Sequence, residues 1–264
     1  MPPLLRYHWD SAEYAEAFAT LLRSYGSRES LYAEVRGLLA ELPPDAIAID
    51  AVAIDWGAGS GDLTRVLLEK VSTVYAIEPS ATLRTALAEH CPAAQIIDGT
   101  IMTVEPPQLA NVALLSHVLY HIPDHEWGAH VMRAANFLTP EGVLLVVLKD
   151  PDSGCNRMLE HFGAAPFDLF AGLARVIRRH KEFDFTFSHS PHAISMHSLE
   201  DTLRVARFMM ADRAAESFSW QATEQQFQEY VQTHFWNEAR NVGGWFLGDV
   251  YCLIRRNPRW RGEV

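Results

Sequence analysis

The chain has 264 residues, 48% of them hydrophobic and 21% charged, which supplies a sizeable core and excludes wholesale disorder. Its formal net charge of -11 argues against a nucleic-acid partner, because phosphates need a basic surface. Cys91, Cys155 and Cys252 are too widely spaced for a disulfide framework or a zinc site and point to a reducing, cytoplasmic compartment. The N-terminus carries Arg6, His8, Trp9 and Asp10 with no apolar stretch of signal-peptide kind, and nowhere does an apolar run reach membrane-spanning length, so no membrane partner is expected. A helix is predicted over 10–25, capped by Asp10 or Ser11, with Tyr14, Ala17, Phe18, Leu21 and Leu22 on one face. Gly26 stops it. A second helix starts at Ser27 or Ser30 and turns Leu31, Val35, Leu38 and Leu39 inward, until Leu42-Pro43-Pro44-Asp45 breaks the chain.

From 47 to 150 strand and helix alternate. Strands are predicted near 49–55, 73–78, 94–98, 111–116 and 142–149, and helices near 62–70, 80–90 and 124–138. Such alternation implies an α/β fold with a parallel, doubly wound sheet and a ligand at the carboxyl ends of the strands. The first strand runs into Ile54-Asp55-Trp56-Gly57-Ala58-Gly59-Ser60-Gly61. Glycines at alternate positions make a tight bend in which a ligand can lie against bare backbone at a helix N-terminus. Asp55 leading into the bend does not suit a pyrophosphate but does suit a cationic group such as an amino-acid ammonium. The second strand ends at Glu78, before Pro79, and a carboxylate there can accept two hydrogen bonds from a ribose.

This D-x-G-x-G-x-G pattern with its spaced acid resembles the first motifs of class I S-adenosylmethionine (SAM) methyltransferases. The resemblance implies a Rossmann-like, seven-stranded, mostly parallel sheet and SAM as cofactor. It assigns Asp55, Gly57, Ala58, Gly59, Gly61, Glu78 and Pro79 to cofactor binding. After the third strand, Asp98-Gly99-Thr100 occupies the place of the family's adenine contact, which Asp98 or Thr100 would make. Ser116, closing the fourth strand, would line the adenine or the methyl. The two leading helices, residues 1–45, match a lid over the cofactor, although most of their residues also suit packing on the outside of the sheet. The core would span 46–150.

The loop His117-Val118-Leu119-Tyr120-His121-Ile122-Pro123 follows the fourth strand, where the family places the transferable methyl. His117, Tyr120 and His121 are therefore candidate acceptor contacts. The spacing of His117, His121 and His125 suggests a metal site on a helix, but Pro123 breaks that helix and no further ligand completes a set, so no metal is expected. After 150 the pattern is less regular. Helical sequence over 156–180 is interrupted at Gly163 and Pro166, a strand is predicted from Phe183 to Ser188, and Ser198 with Asp201 opens a helix through Arg207. A strand near 212–219, a helix over 223–240, a turn at Asn241-Val242-Gly243-Gly244 and a last strand over Asp249–Ile254 complete the chain. Residues 151–264 read as an inserted substrate cap plus the last strands of the same sheet.

Several pieces further resemble histamine N-methyltransferase and its relatives. These are Tyr14-x-x-x-Phe18 with Leu21-Leu22, the turn Glu78-Pro79-Ser80-Ala81, and His117-Val118-Leu119-Tyr120-His121. The resemblance places Tyr14, Glu29, His117, Tyr120, His121 and Asp249 around the acceptor. Glu29 and Asp249 would orient a cationic group, and His117 or His121 would remove a proton. The expected reaction is SN2 transfer of a methyl group to a nitrogen of a small amine or N-heterocycle. An O-methyltransferase of phenols or carboxylates, a non-catalytic SAM-binding module and a NAD-dependent oxidoreductase are the alternatives. The oligomeric state is left open.

Overall fold

A computed structural model describes residue 7 and residues 11–24, 28–41, 51–211 and 223–258. Seven strands form one sheet: β1 (Val52–Trp56), β2 (Thr73–Ile77), β3 (Gln95–Ile97), β4 (Ala110–Ser116), β5 (Leu138–Lys149), β6 (Phe183–Ser190) and β10 (Asp249–Arg256), in the order β3-β2-β1-β4-β5-β10-β6. The strands from β3 to β5 pair in parallel, and β10 runs antiparallel to both β5 and β6. The start of β10 therefore lies at the same edge of the sheet as the carboxyl ends of β1, β4 and β5.

Because strand side chains alternate, the buried residues divide by face. Ile54, Trp56, Ala113, Leu115, Val146 and Leu148 face α5 (Trp127–Asn136) and α7 (Leu169–Arg179). Ala53, Val74, Val112, Leu114, Leu145 and Val147 face α2 (Arg28–Glu41) and α3 (Asp62–Leu68). On the same side, α4 (Ala81–His90) is capped by Ser80, whose Oγ accepts from Leu83 N–H at 3.3 Å, and buries Leu87 and Cys91 against Ala58 and Ala76. The sheet is thus covered on both faces, as the α/β alternation predicts.

A second core forms the cap. It unites α1 (Ala12–Ser24), α6 (Gly154–His161), α8 (Leu199–Ala211) and α9 (Glu224–His234) with a small antiparallel sheet, β7-β9-β8, of Ala193–Met196, Val242–Phe246 and Trp236–Asn237. The two N-terminal helices part company. Tyr14, Ala17 and Leu21 of α1 pack with Phe208 in the cap, whereas Tyr32, Val35, Leu38 and Leu39 of α2 pack on the main sheet.

Some element boundaries differ from expectation. The turn expected at 139–142 is absorbed into β5, whose register with β4 shifts between Ala110 and Val112. A Cβ at Gly142 would stand 2.5 Å from the Ala110 carbonyl oxygen. The helix expected over 124–138 is a 3-10 turn, Asp124–Glu126, followed by α5. The helix expected over 223–240 ends at His234, and the expected Gly243-Gly244 turn is strand β9. Side chains there would collide with Thr202 and with the Ile194 carbonyl, so the glycines are required by tight packing rather than by a bend. Strand β7 has no counterpart among the expected elements. The strand expected near 212–219 lies outside the described residues.

Candidate active site

The glycine bend joins β1 to α3. Gly57, Gly59 and Gly61 all have left-handed backbone, φ 75°, 57° and 94°, which glycine alone adopts without penalty. The N–H groups of Gly57 and Ala58 both donate to the Ile77 carbonyl, at 2.8 and 3.0 Å, which ties the bend to the end of β2. The three glycines differ in what faces them. A Cβ on Gly57 would strike Val118, and one on Gly61 would come within 2.7 Å of Leu87 Cδ1 and 2.8 Å of Cys91 Sγ. At Gly59, its chain neighbours apart, no heavy atom of the described residues lies within 4 Å of a Cβ position, so this is where the bend opens to a ligand.

Two carboxylates bracket the opening. Asp55 is 2% exposed. Its Oδ2 accepts from Thr64 Oγ1 at 2.7 Å, and burial raises its pKa to about 6 against that hydrogen bond. Glu78 is buried, with Oε2 accepting from Gly59 N–H at 2.9 Å and Oε1 from Ser80 N–H at 2.8 Å. Arg84 fixes the turn by donating to the carbonyls of Glu78 and Pro79, at 2.9 and 2.7 Å, and by pairing with Asp98 at 2.8 Å. The Asp98 side chain is 69% exposed. Thr100 is exposed as well, and its N–H donates to Thr103 Oγ1 at 2.9 Å, beyond Gly99 with φ 144°. Asp98, Gly99 and Thr100 thus rim the bend next to Glu78.

Beyond β4 the loop is pinned from below. Trp127 Nε1 donates to the carbonyls of Leu119 and Ile122, both at 2.9 Å, and His117 N–H donates to the Val147 carbonyl at 3.0 Å with φ 57°. Val118 lies over Gly57, so the loop adjoins the bend directly. The buried Tyr120 hydroxyl accepts from Lys149 N–H at 2.7 Å and meets His117 Nδ1 at 2.9 Å. The Lys149 ammonium stands 4.2 Å from the Tyr120 ring centre. His117 Nε2 is 3.7 Å from Asp249 Oδ1, and the His117 side chain keeps 28% of its exposure. Burial, with Lys149 and His192 nearby, pushes the His117 pKa down to about 3, so the ring is neutral. The exposed His121 shares a 3.3 Å hydrogen bond through Nε2 with Tyr14 of α1. Ser116 Oγ, at the end of β4, is buried and has no hydrogen-bond partner among the described residues.

Asp249 opens β10 opposite Lys149. It is 1% exposed, its Oδ1 has no hydrogen-bond partner among the described residues, and burial raises its pKa to about 7, with Lys149 opposing and Asp150 reinforcing. Of the expected site residues, the structure gathers Asp55, the glycines and Glu78 into one bend, and His117, Tyr120, His121, Tyr14 and Asp249 beside it. Glu29 falls in α2, but its side chain lies outside the described residues. Lys149 and His192 were not anticipated. A lone cation closing a buried apolar strand was a usable signal for Lys149, whereas His192 depends on the β6–β7 crossing, which has no sequence signature.

The chain matches the methyltransferase domain family over residues 25–230. It is 32% identical over 96 residues to an uncharacterized methyltransferase of Geobacillus kaustophilus, covering 36% of this chain and 45% of that one. It is 29% identical over 166 residues to an uncharacterized methyltransferase of Exiguobacterium sibiricum, covering 57% and 77%. Against the Geobacillus relatives the chain thus spans less than half of their length. Among solved structures, a candidate methyltransferase of Bacillus halodurans superposes with a TM-score of 0.55 at 12% identity, over 82% of this chain and 97% of that one. The YcgJ protein of Bacillus subtilis does so with 0.53 at 12%, over 79% and 93%. These two likenesses are of fold.

Proposed function

We propose that this chain, which belongs to the methyltransferase domain family, takes S-adenosylmethionine as its cofactor and moves the methyl group to a nitrogen of a small amine or N-heterocycle. The observation that carries the cofactor assignment to particular residues is the open backbone at Gly59, bracketed by Asp55 and Glu78. Asp55 would face the methionine ammonium, Glu78 the ribose, the Asp98–Thr100 rim the adenine, and Ser116 the space between adenine and methyl. Bound SAM supplies a methyl already attached to a good leaving group, so the protein's share is alignment, which can account for about 7–11 kcal/mol of a barrier.

The nitrogen acceptor is supported by the side chains beyond the loop. An unprotonated nitrogen attacks without an obligatory base. His117 has both ring nitrogens directed at protein groups, Tyr120 and Asp249, and its depressed pKa makes it a poor base. We assign it the holding of Tyr120 and the acceptor wall. His121, exposed and joined to Tyr14, would take a proton from an acceptor that arrives protonated, which frees its nitrogen to attack. Asp249 offers an oxygen that lacks a donor among the described residues, which an N–H of the acceptor would satisfy. This assignment follows the resemblance to histamine N-methyltransferase-like enzymes in its residues, not in its substrate.

Two measurements test the reading. Calorimetry should show SAM and S-adenosylhomocysteine binding, reduced at least tenfold in Glu78→Ala; no heat from either ligand would refute the cofactor site. A panel of amines, imidazoles, phenols and carboxylates with radiolabelled SAM should label the nitrogen compounds, and labelling confined to phenols or carboxylates would replace nitrogen by oxygen. On the labelled acceptor, His121→Ala should lower kcat/KM by about a hundredfold, and an unchanged value removes its role.

A further inference from the structure

Three crossings between sheet and cap meet at one place. β6 leads to β7 through residues 191–192, and β9 leads to β10 through Leu247 and Gly248. The two are stitched together, since Leu247 and Gly248 N–H both donate to the His192 carbonyl, at 2.9 and 3.1 Å. The crossing from β5 to α6 joins them through Asp150 N–H, which donates to the Gly248 carbonyl at 3.0 Å. Gly248 has φ 59°, so the backbone bends sharply here. Inside this knot His192 Nε2 stands 3.7 Å from Asp249 Oδ2, and both side chains are almost wholly buried. At that distance the pair is in electrostatic contact but too far apart for a direct hydrogen bond.

We propose that His192 and Asp249 form a pH-compensating clasp at this junction, each partner offsetting the tilt with pH that the other alone would give to the seating of the cap on the sheet. Among the described residues, the titratable groups facing Asp249 are His117 from the loop after β4, Lys149 at the end of β5, Asp150 in the crossing to α6, His192 from the β6–β7 crossing, and Tyr251 of its own strand. Asp150 is itself engaged by His189 of β6 at 3.0 Å, and His192 Nδ1 lies 3.2 Å from the Ser190 carbonyl. Burial acts on the two partners in opposite senses. It raises Asp249 and lowers His192, so the shut junction favours the neutral form of each. Opening lets Asp249 lose a proton above about pH 4 and lets His192 gain one below about pH 6.5. The carboxyl therefore makes opening easier as pH rises, up to about 7, whereas the imidazole makes it easier as pH falls. In the wild type the two tendencies offset each other, and removing one partner exposes the other. This clasp goes beyond the methyl-transfer reading and does not depend on it.

The test is amide hydrogen exchange across 191–196 and 242–248 between about pH 5 and 8, corrected for the chemical exchange rate, with the full chain. Relative to wild type, Asp249→Asn should lose protection toward acid, and His192→Gln should lose it toward neutral pH, each by up to about tenfold per pH unit. Opposite tilts support the clasp. One common profile for all three proteins overturns it. If Asp249→Asn melts without cooperativity, His192→Gln and His192→Asn together decide, since both must tilt toward neutral pH. Calorimetry with S-adenosylhomocysteine on the same samples keeps a failed cofactor site distinct from a failed clasp.

Discussion

Gly59 and Gly57 carry the same backbone sign but stand in different surroundings, and their substitutions should separate binding from stability. Gly59→Ala meets open space, so the fold should lose only the left-handed penalty, about 1–2 kcal/mol, while the new methyl enters the ligand's place and weakens S-adenosylhomocysteine at least tenfold. Gly57→Ala adds a collision with Val118 and should destabilise more in chemical denaturation. Asp55 gives a pH signature. Its folded pKa, about 6, lies above the unfolded value, so the native chain holds a proton that the unfolded chain has released. Stability should fall as pH rises from about 4 to 6, by on the order of 3 kcal/mol relative to Asp55→Asn, and level off above. A urea-denaturation series across that range reads the difference. These residues were legible in the sequence because spacing along one strand–turn–helix unit carries them. The partnership of Asp249 with His192 was not, because it joins positions brought together only by the antiparallel last strand and the cap crossing.

At the scale of elements, α1 and α2 look alike in sequence, each an amphipathic helix ahead of the first strand, yet they serve different cores. Their periodicity showed which faces are apolar but not what those faces meet. The tie between α1 and the loop after β4 is the Tyr14–His121 hydrogen bond. Tyr14→Phe keeps the ring against Phe208, 4.8 Å away between centroids, and should cost about 0.5–1.5 kcal/mol. Phe208→Ala empties that contact and should cost about 3–5 kcal/mol. If the two thermal melts shifted equally, the packing of α1 in the cap would not be its main anchor. The alternating strands and helices from β1 to β5 were readable from period and length. The small cap sheet was not, since β7 has four residues and β9 carries the glycine pair that reads as a turn.

Over the whole molecule, the charge of -11 predicts no retention on duplex DNA at about 0.1 M salt, and filter binding would expose the opposite. Among the described residues no helix is long and apolar enough to cross a membrane. The sheet and the cap have separate apolar cores, yet α6 contributes to both. Leu159 faces the sheet side, while Cys155, Met158 and Phe162 face the cap. That helix works as a dowel glued into two boards. Cutting the gene near residue 150 would leave one fragment with a bare socket and hand the other a peg that its own wood cannot hide. Expressed apart, the halves should come out sticky and ill-formed, and they should recover order only when mixed.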